Sequence, residues 1–261
     1  MSRFIGNMYD YPVVAEQSAI LPLLRDDFTR AVAYETPGLI FDGSRIVDDE
    51  NFQGLDGFWR DSSLPKGVQK APGRTEYTIA TLTPESVCKE AFEAGLIIQD
   101  DAAAALCRAM LMAADIFASV TRDYLDRDDF YMRIWQMWGP RNALGRTPFL
   151  HIDRTHLTGL WYADRATAEI YTGPVSEEVW QALSPQRKNE HQNDRVLRAF
   201  SENADPNDLM PLPVGPLIIT RNSKARDLND QSARNTVCIH RSGDVANLGQ
   251  VGIVMVPKFM D

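Results

Sequence analysis

The spacing of apolar positions divides the chain near residue 130 into a helical part and a β-rich part. Along Ser18–Glu35 apolar residues recur every three or four positions, which predicts a helix that ends at the Thr-Pro-Gly sequence 36–38. The sequence AAAALCRAMLMAADIFASVTRDYL after Asp101 predicts the longest helix of the chain. Thr83-Pro84 marks the start of another helix, which should end near Ala94. Between these helices, residues 39–74 are rich in Gly, Pro and Asp and predict a long loop, with short strands at 39–41 and 76–80.

Beyond residue 130, short runs rich in Val, Ile, Thr and aromatic residues predict strands bounded by Gly, Pro, Asn and Asp. These runs are 131–138, 147–153, 157–163, 167–173, 214–221, 235–241 and 250–259. A polar stretch, Ser176–Asn203, interrupts them and predicts a helical insertion. Many short strands with few crossover helices favour an antiparallel sandwich or barrel. We therefore predict an α+β fold in which a helical N-terminal region, 1–130, packs on a β core, 131–261, as one compact unit.

Composition and charge narrow the classes of partner. Apolar residues make up 44% of the 261 residues, charged residues make up 24%, and the net charge is -9. An acidic protein lacks the broad basic face that nucleic acids and anionic membranes require, so we expect neither as a partner. The three cysteines form no CxxC pair, the N-terminus lacks the pattern of a signal peptide, and we find no uninterrupted apolar run of about 18 residues. These features predict a cytoplasmic protein.

The candidate chemistry lies in the sequence FLHID, 149–153, and near the C-terminus. The chain has four histidines, and His151 is followed two residues later by Asp153. On a strand these two side chains point the same way, about 7 Å apart, whereas on a helix they would diverge. His240 ends another predicted strand. Two imidazoles and one carboxylate on one face of a metal form the triad of non-haem Fe(II) oxygenases, which leaves positions free for substrate, co-substrate and O2.

Two other interpretations of these residues are open. His151 and Asp153 could form a buried hydrogen bond with a purely structural role. Alternatively His151, Asp153 and His156 could form the site of a zinc hydrolase, although strand parity opposes it because His156 falls on the other face.

The C-terminal half resembles the double-stranded β-helix (jelly roll, cupin-like) of Fe(II)/2-oxoglutarate-dependent oxygenases. HID resembles their proximal HxD motif, and LTGLWYADRAT followed by HRSGD is similar to the phytanoyl-CoA-hydroxylase-like members. The pairing of HID with HRS is also similar to an uncharacterised bacterial family with an FHxD…HRSP pattern. The similarity covers 131–256. It implies a dioxygenase that uses Fe(II), 2-oxoglutarate and O2 to modify a small-molecule substrate oxidatively, with His151, Asp153 and His240 as both catalytic residues and metal ligands.

One departure from that family concerns the co-substrate. Its members usually bind the distal carboxylate of 2-oxoglutarate through Arg or Lys about ten residues past the distal histidine, where this chain has Gln250. The cofactor-binding residues that we predict instead are Arg234, which shares the face of His240 if the strand is uninterrupted, Arg241 if the strand bends, and Ser242. Further candidate arginines are Arg133, Arg154 and Arg221. The missing downstream arginine also favours an alternative, a non-catalytic cupin-like protein that binds a metal or small ligand.

Overall fold

The computed structural model describes residues 11–45, 75–77, 100–127, 129–137, 149–165, 167–184, 190–222, 228–243 and 250–257. The strands in these ranges are β1 (Val13–Val14), β2 (Ala31–Tyr34), β3 (Thr75–Tyr77), β4 (Phe130–Met137), β5 (Leu157–Arg165), β6 (Ala168–Tyr171), β7 (Leu209–Pro211), β8 (Leu217–Arg221), β9 (His240–Ser242) and β10 (Gln250–Pro257). The α-helices are α1 (Ile20–Arg25), α2 (Asp100–Leu125), α3 (Glu177–Leu183), α4 (Glu190–Glu202) and α5 (Gln231–Arg234).

The strands form two sheets. The large sheet has the order β1-β2-β8-β5-β10-β4-β3 and the small sheet the order β7-β6-β9. Within the described ranges every pairing is antiparallel except that of β1 with β2. An isolated bridge between His151 and His240 attaches the segment 149–153 to the free side of β9. The α+β class predicted from the sequence is confirmed.

Alternation along the strands of the large sheet separates two apolar cores. Trp161 and Ile219 point to one side, where they pack in the cluster that contains Phe117 of α2. Leu160 and Ile218 point to the other side, where they pack against residues of the small sheet. The two sheets therefore face each other, and the space between them is the interior that positions the site.

A third cluster covers the outer face of the small sheet. Residues of α3 and α4, including Trp180 and Leu197, pack there against Leu150, Tyr171 and Ile239. The predicted insertion is thus helical, and it forms a packed layer because its apolar residues are buried.

The predicted long helix and the predicted strands at β4, β5, β6, β8 and β10 are confirmed within a few residues at their ends. The single helix predicted over Ser18–Glu35 is wrong in its second half. Residues 31–34 form β2, which pairs with β8, and Ala31, Val32 and Ala33 are all fully buried. Burial on both faces of a sheet outweighs the helical spacing because propensity is a weak local preference.

Other predictions in the N-terminal region have mixed outcomes. A 3-10 turn, Pro37–Leu39, ends at the first residue of the strand predicted at 39–41, which does not form, and β3 overlaps the strand predicted at 76–80. The helix predicted from Thr83 to Ala94 lies outside the described residues. Strands from both sides of residue 130 share the large sheet, so the N-terminal region is not helical alone. The division at residue 130 stays a prediction.

Helix α2 packs against one face of the large sheet. Among the described residues, one helical stretch, Ala104–Leu125, is long and apolar enough to cross a membrane, judged by length and composition alone. Of its most apolar part, 61% is buried inside the protein. Core helices meet the same criteria. The cytoplasmic location stays a prediction.

Candidate metal centre

Backbone pairing brings the two histidines together across 89 positions of sequence. The amide of each donates to the carbonyl of the other, His151 to His240 and His240 to His151, both at 2.9 Å. Residues in such a pair project their side chains to the same side of the sheet. Accordingly, the two ring centroids lie 4.5 Å apart.

Backbone carbonyls set which ring nitrogen of each histidine faces the centre. Nδ1 of His151 lies 2.9 Å from the carbonyl of Phe149, and Nδ1 of His240 lies 3.3 Å from the carbonyl of Cys238. A carbonyl only accepts, so in each ring Nδ1 must carry the proton and donate it. The lone pair is then left on Nε2, the atom that faces Asp153 in both rings.

The donor atoms converge around Asp153. Nε2 of His151 lies 3.6 Å from one carboxylate oxygen, and Nε2 of His240 lies 3.6 Å from the other. The three ligand atoms lie within 4.8 Å of one another, so the group could hold a metal ion. Each Nε2 thus lies closer to a carboxylate oxygen than about 4.2 Å, the largest separation of two ligand atoms that are each about 2.1 Å from one ion.

The electrostatics favour the protonation states that a metal requires. Burial by itself would raise the pKa of the Asp153 carboxyl, but His240, His151 and the Thr158 hydroxyl outweigh it and hold that pKa well below its usual range. Burial lowers the pKa of His240 more than the nearby carboxylate raises it. Near neutral pH the site therefore presents a carboxylate and, at His240, a neutral imidazole, as divalent-metal ligands must be.

The donor set matches a metal that prefers nitrogen and oxygen. Two imidazoles with one carboxylate suit Fe(II), whereas thiolates would favour zinc or iron–sulfur clusters. Cys238 is fully buried beside this group, and burial raises the pKa of its thiol to about 12. It therefore stays protonated and offers no thiolate.

Polar residues behind Asp153 were missed by the sequence analysis. Thr158 donates to Asp153 Oδ2 at 2.7 Å, and the amide of Asn222 lies 2.8 Å from Thr158 Oγ1 and 2.7 Å from Thr155 Oγ1. All three are nearly inaccessible to solvent. Strand parity places Thr158 on the inner face with Leu160, but nothing in the sequence marks Asn222 as its neighbour.

The structure places His156 outside the group of three. In the part of the chain that is described, the cluster of potential ligands contains His151, Asp153 and His240, and His156 is not a member. Residues 152–156 belong to no strand, so the strand parity that spoke against a His151–Asp153–His156 zinc site does not apply to this segment.

The two arginines predicted to bind the co-substrate are engaged elsewhere. The strand expected around Arg234 is absent because residues 231–234 form helix α5, and the Arg234 guanidinium donates to Glu177 at 2.8 Å. Arg241 donates to Glu169 at 2.7 Å, its neighbour in the β6–β9 register. The expectation that Arg234 shares the face of His240 is therefore wrong, and Arg241 points away from that face.

The third predicted residue, Ser242, is at a favourable position. It alternates with Arg241 and so lies on the face of His240, paired with Ala168 of the inner cluster. Its contact with a co-substrate stays a prediction.

Helix α4 supports the extended segment 149–153 that carries His151. The buried hydroxyl of Ser201 accepts from the amide of Leu150 at 2.6 Å and donates to the carbonyl of Leu197 at 2.7 Å. It thus satisfies a buried N–H on the side of the segment 149–153 away from β9.

Replacing Ser201 with alanine is expected to destabilise the protein by about 1–3 kcal/mol, because the Leu150 amide would be left buried without its acceptor. Urea denaturation measures the change. Ser232→Ala is the matched control, since that hydroxyl is exposed and bonds to Asp230. Equal stabilities of the two variants would contradict the supporting role of Ser201.

A scan against protein-family models finds no match, and a search of curated proteins likewise finds none. Among solved structures, the chain is similar to a dioxygenase for auxin oxidation from rice, with 13% sequence identity and a TM-score of 0.42. The similarity covers 95% of this chain and 84% of the rice protein.

Proposed function

We propose that this protein is a non-haem Fe(II) oxygenase that uses 2-oxoglutarate to modify a small molecule oxidatively. The observation that carries the proposal is the convergence of His151, Asp153 and His240, with both imidazoles turned so that Nε2 faces the carboxylate. A three-residue donor set that combines two imidazoles with one carboxylate leaves other metal positions for exchangeable ligands.

Each residue of the site has a defined task in this proposal. His151 and His240 hold their Nδ1 protons on backbone carbonyls, which fixes the ring planes and leaves Nε2 as the ligand. Asp153 supplies the negative charge, and its carboxylate accepts from the buried hydroxyl of Thr158. Bound Fe(II) would supply the O2 chemistry that protein side chains cannot perform.

We propose the double-stranded β-helix as the fold of the core. In support, the described strands form two facing antiparallel sheets with the internal orders β8-β5-β10-β4 and β7-β6-β9. The segment 149–153 extends the small sheet through its bridge to β9. This arrangement places His151 and His240 on neighbouring segments at one end of the interior.

The assignment of 2-oxoglutarate as co-substrate requires a basic residue to bind its distal carboxylate. Arg221 is fully buried and donates to the carbonyls of Asp26 and Thr29, and Arg154 is exposed. Arg133 stands in β4, paired with Val254 of β10. Because Arg234 and Arg241 are held by carboxylates, a metal-binding protein without 2-oxoglutarate is the second candidate function.

Anaerobic addition of Fe(II) followed by 2-oxoglutarate is expected to produce the weak visible charge-transfer absorption of the chelate. The same addition to Asp153→Ala is the matched control and should produce none. If Fe(II) binds to the unmodified protein and no absorption develops, the co-substrate proposal is wrong and the metal proposal stands.

A further inference from the structure

The carboxylate of Asp153 is held by a partner that belongs to a rigid element. Thr158 Oγ1 donates to Asp153 Oδ2 at 2.7 Å. Thr158 is fully buried in β5, a strand that pairs on both sides, with β8 and with β10. Its hydroxyl also lies 2.8 Å from the amide of Asn222, just beyond β8.

Asp153 itself lies outside the ladder of either sheet. The bridge to β9 involves His151, and residues 152–156 belong to no strand. Its backbone therefore fixes the carboxylate less firmly than a strand would, and 27% of its side chain is exposed. A hydrogen bond from a central strand supplies the missing constraint.

We propose that Thr158 is the positioning residue that orients the Asp153 carboxylate toward the metal. This inference rests on the proposed metal-binding function. With Oδ2 accepting from Thr158, rotation about the terminal torsion of Asp153 is restricted, and the carboxylate keeps one oxygen facing His151 and the other facing His240. Partners of metal-ligating carboxylates typically change affinity by about 10–100-fold when they are removed.

The test is a Mn(II) titration followed by electron paramagnetic resonance, with thermal unfolding as a check on folding. Thr158→Val keeps the shape of the side chain and removes the hydroxyl, so Mn(II) affinity should fall by about 10–100-fold. The spectrum of the bound ion at saturation should also change, which a structural role alone would not produce. Thr158→Ser keeps the hydroxyl and should restore both to within about threefold of the original protein. If Thr158→Val fails to fold, Thr158→Ala serves as the second variant.

Thr155→Val is the neighbouring control: Thr155 Oγ1 lies 3.2 Å from Thr158 Oγ1 and 2.7 Å from the Asn222 amide, but the bond to Asp153 comes from Thr158, so the loss of affinity should be clearly smaller in Thr155→Val. An equal loss in Thr155→Val would overturn the specific role of Thr158. The role of Thr158 would also be overturned if Thr158→Val or Thr158→Ala kept the affinity and the spectrum while Asp153→Ala lost Mn(II) binding. That result would leave the proposed function intact. Absence of Mn(II) binding to the unmodified protein would overturn the inference together with the proposed function.

Discussion

Replacing His240 with alanine is expected to reduce Fe(II) affinity by more than about 100-fold. Loss of a residue that only supports a metal ligand typically costs about 10–100-fold in affinity, and loss of a direct ligand should cost more. In the proposed centre His240 is the ligand contributed by the distant C-terminal part of the sequence. Its removal leaves His151 and Asp153, and two donors hold a divalent ion weakly. Anaerobic equilibrium titration with Fe(II) measures the effect.

His156→Ala is the matched control for His240→Ala. Both substitutions remove an imidazole, but His156 lies outside the cluster of potential ligands found in the described residues. The account predicts unchanged Fe(II) affinity for His156→Ala. Retained binding in His240→Ala with lost binding in His156→Ala would instead support the zinc-type site of His151, Asp153 and His156.

Replacing Phe117 with alanine is expected to lower the free energy of unfolding by about 3–5 kcal/mol. Phe117 is fully buried, and its ring meets that of Phe130 edge to face, with centroids 5.7 Å apart. It also lies directly on β5, since a Cβ added at Gly159 would come within 2.5 Å of the ring. The substitution therefore opens a cavity between α2 and the strand that carries Thr158.

Phe28→Ala is the control for that substitution, because 73% of Phe28 is exposed and its loss should change stability by less than about 0.5 kcal/mol. Urea denaturation of both variants provides the comparison. A cost below about 1 kcal/mol for Phe117→Ala would mean that α2 is not packed on the large sheet as described.

The sequence predicted those elements whose local pattern agrees with their final environment. Helix α2 combines good helix formers with one long buried face, and strands such as β8 and β10 are rich in β-branched residues. Residues 31–34 were predicted wrongly as helix because their conformation depends on pairing with β8, which lies nearly 190 residues away in the sequence. Such a contact is invisible to local spacing.

The sequence singled out the three residues that cluster at the candidate site and missed the residues around them. His151 and Asp153 were paired on the assumption of a strand, and although residues 152–156 form none, the two side chains do lie together with His240. His240 was named from its place in a predicted strand and from the resemblance of the HRSGD segment to known oxygenases. Arg234 was misplaced because the parity argument assumed a strand where helix α5 forms. Thr158 and Asn222 depend on how β5 and β8 align, which the residue pattern does not encode.

The most direct test of the proposed metal centre is a crystal structure of the protein grown with Mn(II), with the ion located by its anomalous scattering. The account predicts one strong peak in bonding contact with Nε2 of His151, the carboxylate of Asp153 and Nε2 of His240. A peak bound by other residues, or no peak at that position in crystals that contain Mn(II), would contradict it.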